Sequence, residues 1–238
     1  MARGRAPGYD TQREQILARA AELFAQQGYT ATSMNQVAQA CGVSKPSLYH
    51  YVRDKYQLLV EIAEGHVTLL KRLTTEAAQP LSSSPLSSSL PADPQACLRQ
   101  LIDSFLGAYA DSRAAHRVLT EDVKFLEPAD RDRVLGVQRE VVEAFAEAIA
   151  VARPELRGTD LQKPLTMLLF GMMNWMFTWL QPGGRLTHAA MAPVVADLFL
   201  GGLEAVRTAA PVPLRPVTKL PARLPKKLTN KLPAKRRA

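Results

Sequence analysis

The chain has 238 residues, 47% of them hydrophobic, only two cysteines, and a formal net charge of +8. That is enough apolar material for one large or two modest domains with their own cores, and too little cysteine for a disulfide-stapled secreted scaffold. The charge sits at the ends: the first 56 residues hold seven Lys and Arg against four Asp and Glu, residues 211–238 hold nine against none, and the middle is mildly acidic. A nucleic-acid partner is therefore a reading for the ends rather than for the middle.

Residues 1–10, MARGRAPGYD, read as a flexible arm without the apolar stretch of a secretory signal. Arg3 and Arg5 can touch phosphates or a minor groove there, or simply lie in solvent. A first helix is expected from a capping box, Thr11 with Glu14, and its face carries Ile16, Ala20, Leu23, Phe24 and Gln27 before Gly28 ends it. The stretch TSMNQVAQACGVSKPSLYHYVRDK, residues 32–55, then reads as two short helices across a tight turn. Thr32 and Ser33 offer N-cap oxygens, and Met34, Val37 and Ala38 repeat at helical spacing. Gly42 stands where a left-handed residue ends a helix at least cost. Ser44 can cap the second helix and Pro46 falls in its first turn.

Leu48 and Tyr51 turn inward, leaving Lys45, Ser47, Tyr49 and His50 as an outward surface of hydrogen-bonding groups. Tyr49 and Tyr51 can exchange these roles. This is a helix-turn-helix, with the helix from about Lys45 to Tyr51 as the one that enters a major groove. Ser44, Lys45, Ser47 and His50 have the chemistry to read base edges.

Asp54 is a good N-cap for a long helix to about Ala78, and Lys55 at its start joins an ammonium to the positive helix end, which favours a phosphate. Residues 79–95 are Ser/Pro-rich and low in complexity, a flexible loop through exposure or as a mobile pocket edge. Helical spacing returns in Cys97–Tyr109, in a short helix around Ala114–Asp122, and in a long one from about Pro128 to Ala152. The long one has a stripe of Val134, Val137, Val141, Phe145, Ala148 and Ile149. A helix from about Asp160 to Leu180 is apolar all round and must be covered on every side. It is too short in its continuous apolar part to span a membrane, which needs about 20 residues. Thr187 caps a last helix with Pro193 as its kink or true start, and residues 209–238 form a basic, Pro-punctuated tail expected to be disordered.

Residues Thr11 to Leu59, with TREQILARAAELFAQQGY, the Thr32-Ser33 start, GVSKPSLYHYV and the following D-K-x-x-L-L, resemble the TetR family of bacterial repressors. The resemblance implies an all-α protein of about nine helices, with a DNA-binding domain over 11–57 and a ligand-binding and dimerisation domain over 58–208. It implies DNA contacts from Thr32, Ser33, Ser44, Lys45, Pro46, Ser47, Tyr49, His50 and Lys55, with Thr32 and Tyr49 at positions that touch phosphates. A homodimer through helices about 160–180 and 187–207 would meet a palindromic operator.

More loosely, HRVLTEDVKFLEPADRDRVLGVQREVVEAF and MLLFGMMNWMFTWLQPGGRLT are similar to regulators of aromatic and fatty-acid breakdown of the PaaR type, which are relieved by acyl- or aryl-CoA thioesters. Phe105, Tyr109, Phe125, Phe170, Asn174 and Phe177, with the two Trp residues, can line an apolar cavity or merely build core. Arg99, Arg113, Lys124 or Arg185 can meet CoA phosphates or sit in surface pairs.

No metal spacing joins His50, His66, His116 and His188, and no Ser elbow or phosphate loop is present, so neither cofactor nor catalysis is expected. A cytoplasmic, ligand-responsive repressor is the expectation. The alternatives are an efflux or stress regulator induced by a hydrophobic drug-like ligand and a ligand-blind DNA-binding protein.

Overall fold

The computed structural model describes residues 8–78, 93–180 and 183–207, which form ten α-helical segments, two single-turn 3-10 segments and no strand. The basic tail, most of the Ser/Pro-rich loop and most of the N-terminal arm lie outside the described residues. Helix α1, Tyr9–Gln27, starts two residues before the expected capping box, and its N-cap is Gly8 in the left-handed region, with no side-chain cap. Packing sets this start: the Tyr9 ring stacks on Tyr51 at 4.9 Å, and its hydroxyl donates to the His50 carbonyl at 3.3 Å.

Helix α2, Met34–Ala40, is capped by Ser33 in a reciprocal box with Gln36. Gly42 at φ 65 makes the turn, and α3, Lys45–Leu48, is capped by Ser44. Regular α3 is shorter than expected, although turn hydrogen bonds from His50, Tyr51 and Val52 carry the chain on. Val37, Ala38, Leu48 and Val52 are buried with Ile16, Ala20 and Phe24 of α1, so the three helices share one apolar centre.

Helix α4, Lys55–Ala78, opens with Asp54 accepting from the Gln57 amide at 2.7 Å. Its first side chain is engaged elsewhere than expected. The Lys55 ammonium donates to the carbonyls of Tyr29 at 2.9 Å, Thr30 at 3.2 Å and Thr32 at 2.8 Å, and lies 4.5 Å from the centre of the Tyr29 ring. An ammonium has three donors, and all three are used. Lys55 is thus a clamp on the segment between α1 and α2, which corrects its assignment as a phosphate contact.

Behind α4 stand α5, Ala96–Asp111, α6, Arg113–Glu121, and α7, Pro128–Ala152. Of the expected α7 stripe only Val137 is less than buried. The expected single helix over 160–180 is two: α8, Gln162–Asn174, and α9, Met176–Trp179, meeting at Trp175. Tertiary bonds hold both sides of the break: the Tyr109 hydroxyl donates to Asn174 Oδ1 at 2.9 Å, and Arg113 donates to the Phe177 carbonyl at 2.8 Å. Helix α10, His188–Ala205, is capped by Thr187 and carries Pro193 inside it. The main packings are α10 on α5, α4 on α7, and α1 on α6.

Replacing Lys55 by Met is expected to lower thermal and denaturant stability by about 2 kcal/mol, because three carbonyls lose a charged donor. An unchanged unfolding midpoint with weakened DNA binding would return Lys55 to the phosphate.

Candidate nucleic-acid interface and cavity

Ser44, Lys45, Pro46, Tyr49 and His50 form one exposed group around α3, with Tyr49 45% exposed and Ser47 half-buried beneath it. Lys45 has no ion-pair partner among the described residues. The turn at Gly42 and the burial of Leu48 aim this group outward, so donors stand in solvent where a groove could receive them. Ser33 is exposed, but its hydroxyl is engaged with Gln36 in the cap. Thr32 is a correction. It is 2% exposed, and its hydroxyl donates to the Gly28 carbonyl at 2.9 Å while receiving Gln27 Nε2 at 3.2 Å. A hydroxyl spent inside the fold is not a phosphate donor.

A cavity of about 740 Å³ lies among α4, α5, α6, α7 and α8. Val67, Leu70, Leu119, Val141 and Phe170 supply its apolar wall, and Gln138, Arg139, Glu143, Glu147 and Lys163 are polar members of its lining. Glu147 is bound by Arg157 at 2.6 Å, whereas Arg139 and Lys163 have no ion-pair partner among the described residues. Among the six residues expected to line such a space, Tyr109, Phe170 and Asn174 do. Phe105, Phe125 and Phe177 do not. Phe105 is fully buried against Phe145 at 4.7 Å, a core contact. Phe125 is 38% exposed beside Tyr29 at 5.5 Å, and Phe177 lies outside the lining with its ring 6.1 Å from His116. Arg99 is paired with Asp197, Arg113 holds the Phe177 carbonyl, and Lys124 lies over Phe125, so none of these three lines the cavity.

Sequence reading missed the polar pair beside the cavity. His66 of α4 and His116 of α6 are both buried, with His66 Nε2 3.3 Å from His116 Nδ1. Burial pushes His66 down to about 4 and His116 to about 3, the latter helped by the charges of His66 and His188. Burial also raises the Tyr109 hydroxyl well above its ordinary range. A signal existed: Ile62, His66 and Leu70 stand four apart, which places His66 on the apolar stripe of α4. Among the described residues no three His, Cys, Asp or Glu side chains gather to hold a metal, and no helix is long and apolar enough to cross a membrane.

A third feature is apolar and uncovered. Leu168 (64% exposed), Trp175 (67%) and Met167 (50%), on and just past α8, and Leu198 (66%) and Val194 (51%) on α10, remain in solvent. Exposed large side chains of this kind on two neighbouring helices mark an interaction surface.

Two family models match the chain: "Bacterial regulatory proteins, tetR family" over residues 16–62 and "Tetracyclin repressor-like, C-terminal domain" over residues 91–203. A TetR-family transcriptional regulator from Bordetella parapertussis is 33% identical with a TM-score of 0.72, covering 83% of this chain and 98% of that one. The repressor KstR2 of Rhodococcus jostii is 28% identical over 201 residues, 82% of this chain and 93% of that protein. Apo AibR is 26% identical with a TM-score of 0.65, over 79% of this chain and 97% of that one, and AibR is also solved with isovaleryl coenzyme A and operator DNA.

Both buried histidines bind protons less readily folded than unfolded, where the ordinary value is about 6.5. The unfolded chain therefore takes up protons first as pH falls. Their contribution to stability is complete above about pH 6.5 and is lost progressively below it. Unfolding midpoints are expected to fall between about pH 6.5 and 5, above the main carboxylate range, and His116→Phe should flatten that slope. A flat wild-type profile in this window would remove the buried neutral pair.

Proposed function

The chain belongs to the TetR family of bacterial regulatory proteins and is a DNA-binding transcriptional regulator rather than an enzyme, and on that premise we propose a homodimeric repressor released from its operator by an acyl- or aryl-CoA thioester. The observation that carries the ligand class is the cavity behind α4, with an apolar wall for an acyl or aryl group and two cations in its lining, Arg139 and Lys163, that have no ion-pair partner among the described residues. An extended thioester has this division: an apolar end, and phosphates that seek guanidinium and ammonium groups. AibR, solved with isovaleryl coenzyme A and operator DNA, supports the choice. Tyr109, Phe170 and Asn174 are the proposed ligand contacts from the original set, joined by Arg139 and Lys163.

On the DNA side, Ser44, Lys45, Pro46, Ser47, Tyr49 and His50 meet the major groove, and Ser33 presents the N-terminus of α2 to a phosphate. Two copies are needed because one such unit reads too few base pairs. The uncovered apolar face of α8 and α10 is where they pair. Helix α4 connects the two functions, since it begins at the Lys55 clamp and its later turns supply Val67 and Leu70 to the cavity wall. A ligand that favours one position of α4 changes the spacing of the two α3 segments, and a coupling of about 2–3 kcal/mol gives useful release.

DNA flanking the protein's own gene should bind in fluorescence anisotropy at fixed salt, and phenylacetyl-CoA or a fatty acyl-CoA should weaken that binding by about 30-fold or more. CoA and the free acid should not. Binding untouched by every thioester, but relieved by a hydrophobic drug-like compound, would replace the ligand class and leave the repressor. In sedimentation, Leu168→Glu combined with Leu198→Glu should yield a folded monomer with little operator affinity; a stable dimer would move the interface elsewhere.

A further inference from the structure

The cavity has a polar corner that its apolar wall does not account for. His116 is 3% exposed and His66 is 4% exposed, and they share one contact, His66 Nε2 to His116 Nδ1 at 3.3 Å. The outer nitrogen of each ring, His116 Nε2 and His66 Nδ1, is buried and has no hydrogen-bond partner among the described residues. His116 lines the cavity together with Tyr109 and Asn174, and its ring is stacked on Tyr109 at 3.7 Å between centroids. The Tyr109 hydroxyl donates to Asn174 Oδ1 at 2.9 Å, which leaves the Asn174 amide nitrogen without a partner among the described residues.

We propose that this corner is a seat for an uncharged carbonyl oxygen, which accepts a hydrogen bond from His116 Nε2–H and a second from the Asn174 amide. The ligand is then recognised as a thioester, ester or ketone and not as a free acid. This rests on reading the cavity as the inducer site.

The donor assignment follows from the two ways in which a pair of neutral imidazoles can share a proton. If His116 donates to His66, an N–H is stranded on His66, which does not line the cavity and has nothing there to receive it. If His66 donates to His116, His66 keeps a bare acceptor nitrogen, and the spare N–H belongs to His116, which does line the cavity. Each arrangement leaves one N–H and one bare nitrogen unpaired in the empty protein, but only the second puts the N–H where a ligand can satisfy it, so a bound carbonyl selects the second.

The two proposed donors carry no charge with which to hold an anion. Burial first, and then His66 and His188 acting on His116, lower the proton affinity of the two rings, so the pair stays neutral. A carboxylate seated on His116 and Asn174 would lose its hydration to two neutral donors, whereas a carbonyl loses far less there.

The test uses the full-length dimer and two matched pairs of probes. Decanoyl-CoA is compared with S-decyl-CoA, in which a methylene replaces the carbonyl. Without any CoA, 4-phenyl-2-butanone is compared with butylbenzene. The wild type should prefer the carbonyl member of each pair by about tenfold or more, since removing it leaves a buried donor unpaired. His116→Phe, which retains an aromatic ring against Tyr109, should erase the preference, and Asn174→Leu should reduce it. In nitrogen-resolved NMR of the imidazoles, wild-type His116 should carry its proton on Nε2 once the ketone is bound, a readout that no folding defect of a variant can disturb.

Equal affinity within both wild-type pairs, or a His116 protonated on Nδ1 with the ketone bound, overturns the seat while leaving thioester control of DNA binding intact. Absence of any CoA binding, with the ketone still preferred, overturns the thioester reading and keeps the seat.

Discussion

The contact on which the rest depends is the clamp made by Lys55. One ammonium gathers the carbonyls of Tyr29, Thr30 and Thr32 and lies over the Tyr29 ring. These carbonyls follow the end of α1, where Gly28 has broken the helix and left acceptors without intrahelical partners. The same lysine is the first residue of α4. The end of α1, the entry to α2 and the start of α4 are therefore tied at one point, so a movement of α4 is felt by the helix-turn-helix.

A second tie joins α4 to α7. The Tyr56 hydroxyl donates to Asp130 at 2.5 Å and accepts the Glu127 amide at 2.8 Å, and Arg133 links Asp130 with Glu64. These bonds are partly exposed and individually modest. Their importance is geometric: α7 supplies much of the cavity lining, and α4 carries Val67, Leu70 and His66 on its inner face. Cavity, buried histidine pair and clamp lie in succession along α4, over about 17 Å from Lys55 to His66 at the rise of an α-helix.

Much of this was legible in the chain because helical periodicity and capping are local. The ends of α7, the turn at Gly42, the caps at Ser33, Ser44, Asp54 and Thr187, and the inward Leu48 all follow from residues within a few positions of one another. The errors have a common origin. Thr32 and Lys55 have side chains suited to phosphate, yet folding spends both on carbonyls brought near by the chain's return. Phe105, Phe125 and Phe177 resemble Phe170 in type, but only contacts from other helices decide which ring faces a void. The α8–α9 break answers to Tyr109 and Arg113, which lie more than 60 residues away in sequence.

The amino-acid sequence by itself determined most of the helices and their buried faces, the exposed group around α3 and the membership of the family, because these rest on local spacing and motifs. Only the tertiary structure decided which polar groups remained free. Lys55 and Thr32 were consumed, and among the described residues Arg139 and Lys163 were left without ion pairs and two histidines 50 residues apart were buried against each other with one nitrogen each unsatisfied. A donor is available to a ligand only after the fold has taken what it needs, and that balance is struck between segments that the linear chain keeps apart.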